Sequence, residues 1–113
     1  MKLEQIILRI NTDKKFKKEF LKSFLLKNNG RAKLAKQFNL KQEYVRLALI
    51  YLKGKEGIKL SDKMTLVYQE YLKLRDEMTI TQIANYLKKD FSTVRACHWY
   101  SVGKSMNFSK VYE

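Results

Sequence analysis

Sliding the 113-residue chain 49 positions along itself superimposes Leu34 on Ile83, Ala35 on Ala84, Phe38 on Leu87, Val45 on Val94, Arg46 on Arg95 and Tyr51 on Tyr100. A period of this length means that one small structural unit is built twice, which removes most of the folds open to a chain of this size. A 47-residue shift carries the match backwards, placing Phe20, Leu21, Phe24 and Leu25 on Val67, Tyr68, Tyr71 and Leu72. The repeated unit therefore spans three apolar segments, and the chain divides into residues 1–57 and 58–113.

Within the second copy, Thr79 and Gln82 have the spacing of a capping box, in which each side chain satisfies a free N–H at a helix start. Ile80, Ile83, Ala84 and Leu87 then recur on one helical face, with the small Ala84 where two helices would cross. The polar run Lys88-Lys89-Asp90 breaks the pattern, and Asp90 can N-cap a second helix in which Val94, Cys97 and Val102 face inward. In the first copy the corresponding helices are expected at about Arg31 to Phe38 and Lys41 to Leu52. Asn39 in its turn suits left-handed backbone, whereas Lys41 is a poor N-cap where the second copy has Asp90.

This short helix, three-residue turn and second helix resemble the helix-turn-helix DNA-binding family, about one unit per copy. The run from Met64 to Lys104 is also similar to the last DNA-binding region of bacterial sigma factors, a likeness shared by many trihelical domains. The resemblance implies that Lys41, Gln42, Glu43 and Arg46 face DNA in the first copy. In the second it implies the same of Phe91, Ser92, Thr93, Arg95, Ala96 and Trp99. Arg46 and Arg95 occupy equivalent sites, where an Arg either grips guanine, worth ~1–3 kcal/mol of discrimination, or holds a phosphate. The family usually has Gly in the turn, and Lys88 in its place would cost ~1 kcal/mol if the left-handed conformation is kept.

The remaining segments also read as helices. Leu3, Ile6, Ile7 and Ile10 form an i, i+3, i+4, i+7 stripe. Asn11 or Thr12 can cap a following helix to about Lys27, with Phe16, Phe20, Leu21, Phe24 and Leu25 on its apolar face. Lys14, Lys15, Lys17, Lys18 and Lys22 occupy its other face, and Lys14, Lys17, Lys18 and Lys22 are candidates for phosphate contact. Asn28-Asn29-Gly30 closes that helix. Lys53-Gly54-Lys55-Glu56-Gly57 reads as the boundary between copies, or as the tip of a hairpin wing returning through Ile58-Lys59-Leu60. Ser61 or Asp62 caps a helix to about Arg75, with Met64, Val67, Tyr68, Tyr71 and Leu72 inward. The aromatic tail after Lys104 either folds back onto the core or pairs with another copy. The expected fold is all-α, with about seven helices as two tandem trihelical units after a short N-terminal helix.

A formal charge of +13 points to a polyanionic partner, with nucleic acid first. Fifteen basic and five acidic residues precede Ile58, against nine and six after it, so the first copy looks like the electrostatic anchor. No apolar run approaches the ~18 residues of a membrane span, and no signal-peptide core is evident, so a cytoplasmic location is expected. The single Cys97 has no internal disulfide partner and reads as core. Cys97 and His98 point to different helix faces and form neither a zinc site nor a Cys-His pair. Carboxylates are scattered and no phosphate-cradling glycine loop is present, so no catalysis, metal or cofactor is expected. The leading expectation is a sequence-specific duplex-DNA regulator of a phage, plasmid or other mobile element, with its two units in successive major grooves. The alternatives are a DNA-recognition or assembly factor, resembling a small terminase subunit, excisionase or transposase, and a protein-binding adaptor or inhibitor. A protein partner or self-association would use the C-terminal aromatic residues.

Overall fold

Asp13 separates the first two helices, and its carboxylate shows why the chain turns there. The computed structural model describes residues 1–24 and 30–111, the last five of these by backbone alone. Among them are seven α-helices and no strand: α1 (Leu3–Thr12), α2 (Lys14–Ser23), α3 (Gly30–Phe38), α4 (Gln42–Glu56), α5 (Asp62–Leu74), α6 (Ile80–Leu87) and α7 (Phe91–Val111). Asp13 Oδ1 accepts from the amides of Lys15 and Phe16 at 3.1 and 3.2 Å, which caps α2 and holds the carboxyl below its usual pKa. Asn11 and Thr12, the caps expected from sequence, are engaged elsewhere. The Asn11 amide donates to Tyr51 Oη at 2.9 Å, and the Thr12 hydroxyl donates to the Leu8 carbonyl.

The α1 stripe buries Leu3, Ile6 and Ile10, and α2 buries Phe16 and Phe20. Phe16 packs against Phe20 and Phe38, each with ring centroids 4.8 Å apart. α2 is described to Ser23, with Phe24 after it; Leu25, Lys27, Asn28 and Asn29, where its expected end falls, lie outside the described residues, and Gly30 opens α3. Ser61 and Thr79 cap α5 and α6, and the Thr79–Gln82 capping box forms both of its bonds. Lys41 precedes α4 without a side-chain cap bond. Along α5, Val67, Tyr68 and Tyr71 are buried, whereas Leu72 is 37% exposed and not inward.

The two α-turn-α segments share the backbone bonds that close their turns at the 49-residue shift. Asn39 (φ 54°) and Lys88 (φ 56°) are both left-handed. Leu40 N–H donates to Ala35 O at 2.8 Å, and Lys89 N–H to Ala84 O at 3.0 Å, closing a Schellman-type end on each short helix. Val45 and Val94 then donate to Lys41 O and Asp90 O. Lys88 keeps the strained conformation because the next helix must leave at this angle for Ile83 and Val94 to share a core.

Gly54 lies inside a helix, beyond the expected end of α4 at Leu52. α4 runs four residues beyond Leu52, and Gly54 is buried inside it, opposite Gly103 of α7 at the same 49-residue shift. A Cβ on Gly54 would meet Lys104 N at 2.9 Å and Tyr100 O closer still. One on Gly103 would meet Lys55 N at 2.9 Å and Tyr51 O closer still. The two contacts are reciprocal, each exchanging residues for their 49-shift equivalents, as across a two-fold axis. Near the helix starts, Arg46 Nη2 reaches Ser92 O at 3.0 Å, so α4 and α7 run parallel. Gly57 (φ 75°) caps α4, and Ile58–Leu60 forms no return strand.

Two cores flank this helix pair. The first gathers α1–α4 with Ala96, Trp99 and Val102 of α7, and the second gathers α5, α6 and α7 with Ile50 of α4. Equivalent tyrosines anchor the pair at either side. Tyr51 meets Asn11, and Tyr100 Oη donates to Ile58 O at 3.0 Å. The backbone after Lys104 continues α7 to Val111.

Candidate nucleic-acid interface

The parallel pairing brings the N-terminal ends of α4 and α7 side by side, with their partial positive dipole ends pointing the same way. At this tip Gln42 and Glu43 are exposed, and Phe91 is 49% exposed. Arg46 is half-buried, its Nη2 bonding Glu43 Oε1 at 2.7 Å as well as the Ser92 carbonyl. A solvated Arg–Glu pair of this kind is worth no more than ~1 kcal/mol, so Arg46 is restrained but recruitable. Lys41 is exposed, with its ammonium 5.4 Å from the Tyr44 ring centroid.

The outward face expected for α7 is corrected by the helix pairing. Ala96 is fully buried in the first core, and Trp99 is half-buried there, edge-on to Tyr51 at 6.4 Å. Their shift equivalents, Leu47 and Ile50, turn toward the same core. The close glycine contact leaves no room for solvent between the helices, so this face of α7 meets α4 instead of the exterior. Arg95 and Ser92 are half-buried, and Thr93 lies on another side, in a cleft with Lys63, Lys88 and Lys89.

The lysines of α2 also separate. Lys14 and Lys18 are exposed, with no carboxylate partner among the described residues. Lys22 pairs loosely with Glu19 at 3.5 Å. Lys17 is withdrawn from the surface, pairing with Glu56 at 2.7 Å and tying α2 to the end of α4. Lys15, Arg31, Lys33 and Lys36 are exposed and likewise without a carboxylate partner among the described residues. Sequence reasoning missed Arg31 and Lys53, which line a cavity of about 510 Å³ with Gln42 and Arg46. For Arg31 the signal was present, since no Asp or Glu occurs between Glu19 and Glu43.

Titratable groups near α7 are tuned by burial. Cys97 is fully buried, and its thiol is pushed up to about 11. His98 is held below its ordinary value by burial and then by Arg95 and Arg75, and its Nδ1 lies 3.3 Å from Tyr71 Oη. Neither residue belongs to a potential metal-ligand cluster among the described residues. No helix among the described residues is long and apolar enough to cross a membrane. No family model, curated protein or solved structure matches the chain.

Proposed function

We propose that the protein binds duplex DNA through one composite face, in which the joined tip of α4 and α7 meets bases while first-half cations hold the backbone. The observation that carries this reading is the uncompensated charge of the first half. Lys14, Lys15, Lys18, Arg31, Lys33 and Lys36 are all exposed, without a carboxylate partner among the described residues. Such a surface favours a polyanion through counterion release. The helix-turn-helix resemblance supplies the reason to favour duplex DNA, and a regulator of a mobile element remains the role this reading favours.

The pairing of α4 with α7 revises how DNA is met. Half-sites read by separate recognition helices lie ~34 Å apart on DNA, yet these two helices touch, and the whole molecule extends only 38 Å. The proposed footprint is therefore one continuous groove segment. Base contact falls to Gln42, Arg46, Phe91 and Ser92, while Trp99 has a packing role.

A second reading has its own observation. Leu66 and Tyr86 are each 67% exposed on the weakly charged second half, which suits a protein partner recruited to DNA. A mobility shift with random duplex at low salt tests the first reading, and absence of binding removes it. Hydroxyl-radical footprinting on a selected site should show one protected segment, and two segments a helical turn apart would refute the composite face. Arg46→Ala should weaken the selected site more than random duplex if Arg46 reads a base, and both equally if it holds phosphate.

A further inference from the structure

Beside the α4–α7 tip lies the 510 Å³ cavity, a cleft open to solvent between the start of α3, the outer side of α4 and the end of α2. Arg31, Arg46 and Lys53 are among the residues that line it, together with the polar Gln42 and Ser23 and with Gly30. No carboxylate among the described residues lines it. By contrast, the cleft of about 430 Å³ beside α2, which also gathers cations, contains Asp13 and Glu19. Lys53 is half-buried and has no carboxylate partner among the described residues, so its positive charge is not neutralised by a neighbouring acid. The charge of Arg46 is shared with Glu43, but those of Arg31 and Lys53 are not.

The repeat provides an internal comparison. At the 49-residue shift, Arg31 corresponds to Ile80, Gln42 to Phe91 and Lys53 to Val102, while only Arg46 keeps its type, as Arg95. Ile80 and Val102 pack against the cores. The same scaffold therefore folds with apolar residues at these places, so the cations of the first half are not demanded by the architecture.

We propose that this cavity binds the polyphosphate group of a free nucleotide, and that the bound nucleotide competes with DNA. The volume falls within the ~300–1,000 Å³ of small-ligand sites. Guanidinium groups suit phosphate oxygens through paired N–H donors, and the Lys53 ammonium adds a point charge. Gln42 and Arg46 belong to both the cavity and the DNA-facing tip, so occupation by an anion withdraws them from DNA. The competition rests on the DNA reading, whereas nucleotide binding itself does not.

The test is calorimetric titration of the full chain with inorganic pyrophosphate and with ATP at 150 mM salt, without DNA. Lys53→Gln and Arg31→Gln should each weaken binding tenfold or more. Lys18→Gln, an equal loss of charge on α2, should change it less than twofold. Absence of binding by both probes at millimolar concentration, or equal weakening by all three substitutions, would overturn the proposal. Arg31 is exposed, so Arg31→Gln keeps the test valid even if Lys53→Gln disturbs folding. A separate arm measures displacement of fluorescent duplex by ATP. Duplex binding without pyrophosphate or ATP binding overturns the cavity alone, and nucleotide binding without duplex binding leaves the cavity and removes the DNA reading. If the chain binds both but ATP does not displace duplex, the competition is overturned.

Discussion

Lys88 shows how one residue can carry the cost of a turn that the whole unit requires. Its left-handed φ of 56° matches that of Asn39, but only Asn tolerates that region at modest cost. Lys88→Gly should therefore stabilise the chain by ~1 kcal/mol in urea unfolding, with Asn39→Gly gaining less. A destabilised Lys88→Gly variant would mean that the Lys side chain contributes something its exposure conceals. His98 gives a pH dependence of definite sign. Its folded pKa is depressed, so the unfolded chain binds the proton more readily. Its stability contribution is complete above the unfolded value near 6.5 and is lost as pH falls through the folded value. Thermal melts of the parent should decline on acidification below the unfolded value near 6.5, and His98→Gln should reduce that decline. Identical profiles would exclude His98 as the source.

At the level of elements, the close approach of α4 to α7 depends on two glycines. Gly inside a helix costs up to ~1 kcal/mol relative to Ala, and that local penalty is outweighed here because a Cβ at either position would strike the opposing backbone. Backbone cannot move aside as a flexible side chain does. Gly54→Ala and Gly103→Ala should each destabilise by at least ~2–3 kcal/mol, despite Ala's better helix propensity. Calorimetric melting would show a fall of about 10 °C. An unchanged or raised Tm in either variant would mean that the helices separate more readily than their packing implies.

The charge asymmetry makes a prediction about the whole molecule. Lys14 and Lys18 are exposed without carboxylate partners among the described residues, whereas Lys17 is paired with Glu56. If the protein binds DNA as proposed, Lys14→Gln with Lys18→Gln should flatten the slope of log K against log salt by about one unit for each phosphate no longer neutralised. Lys17→Gln should leave that slope unaltered and act on stability. Equal slopes for all variants would remove α2 from the DNA surface.

Much of this architecture was legible locally. The Thr79–Gln82 box, the Ser61 cap, the α1 stripe and the burial of Cys97 depend on residues within a few turns, where helical period and hydrogen-bond chemistry act alone. The cation-lined cavity was half legible, since the acid-free stretch was visible but its convergence on Lys53 required α4 to continue past Leu52. The direction of the α7 face was not legible. Periodicity tells which residues share a face but not which helix that face meets, and Ala96 and Trp99 turn inward only because α4 occupies the space in front of them. Gly54 is the extreme case. Read within its own helix it is a breaker between polar neighbours, and its advantage exists only when Gly103, 49 residues away, lets the two backbones approach. Sequence alone thus determined the helices and their duplication, while tertiary structure decided their parallel pairing, because a missing side chain acquires its energetic meaning from what comes to occupy its place.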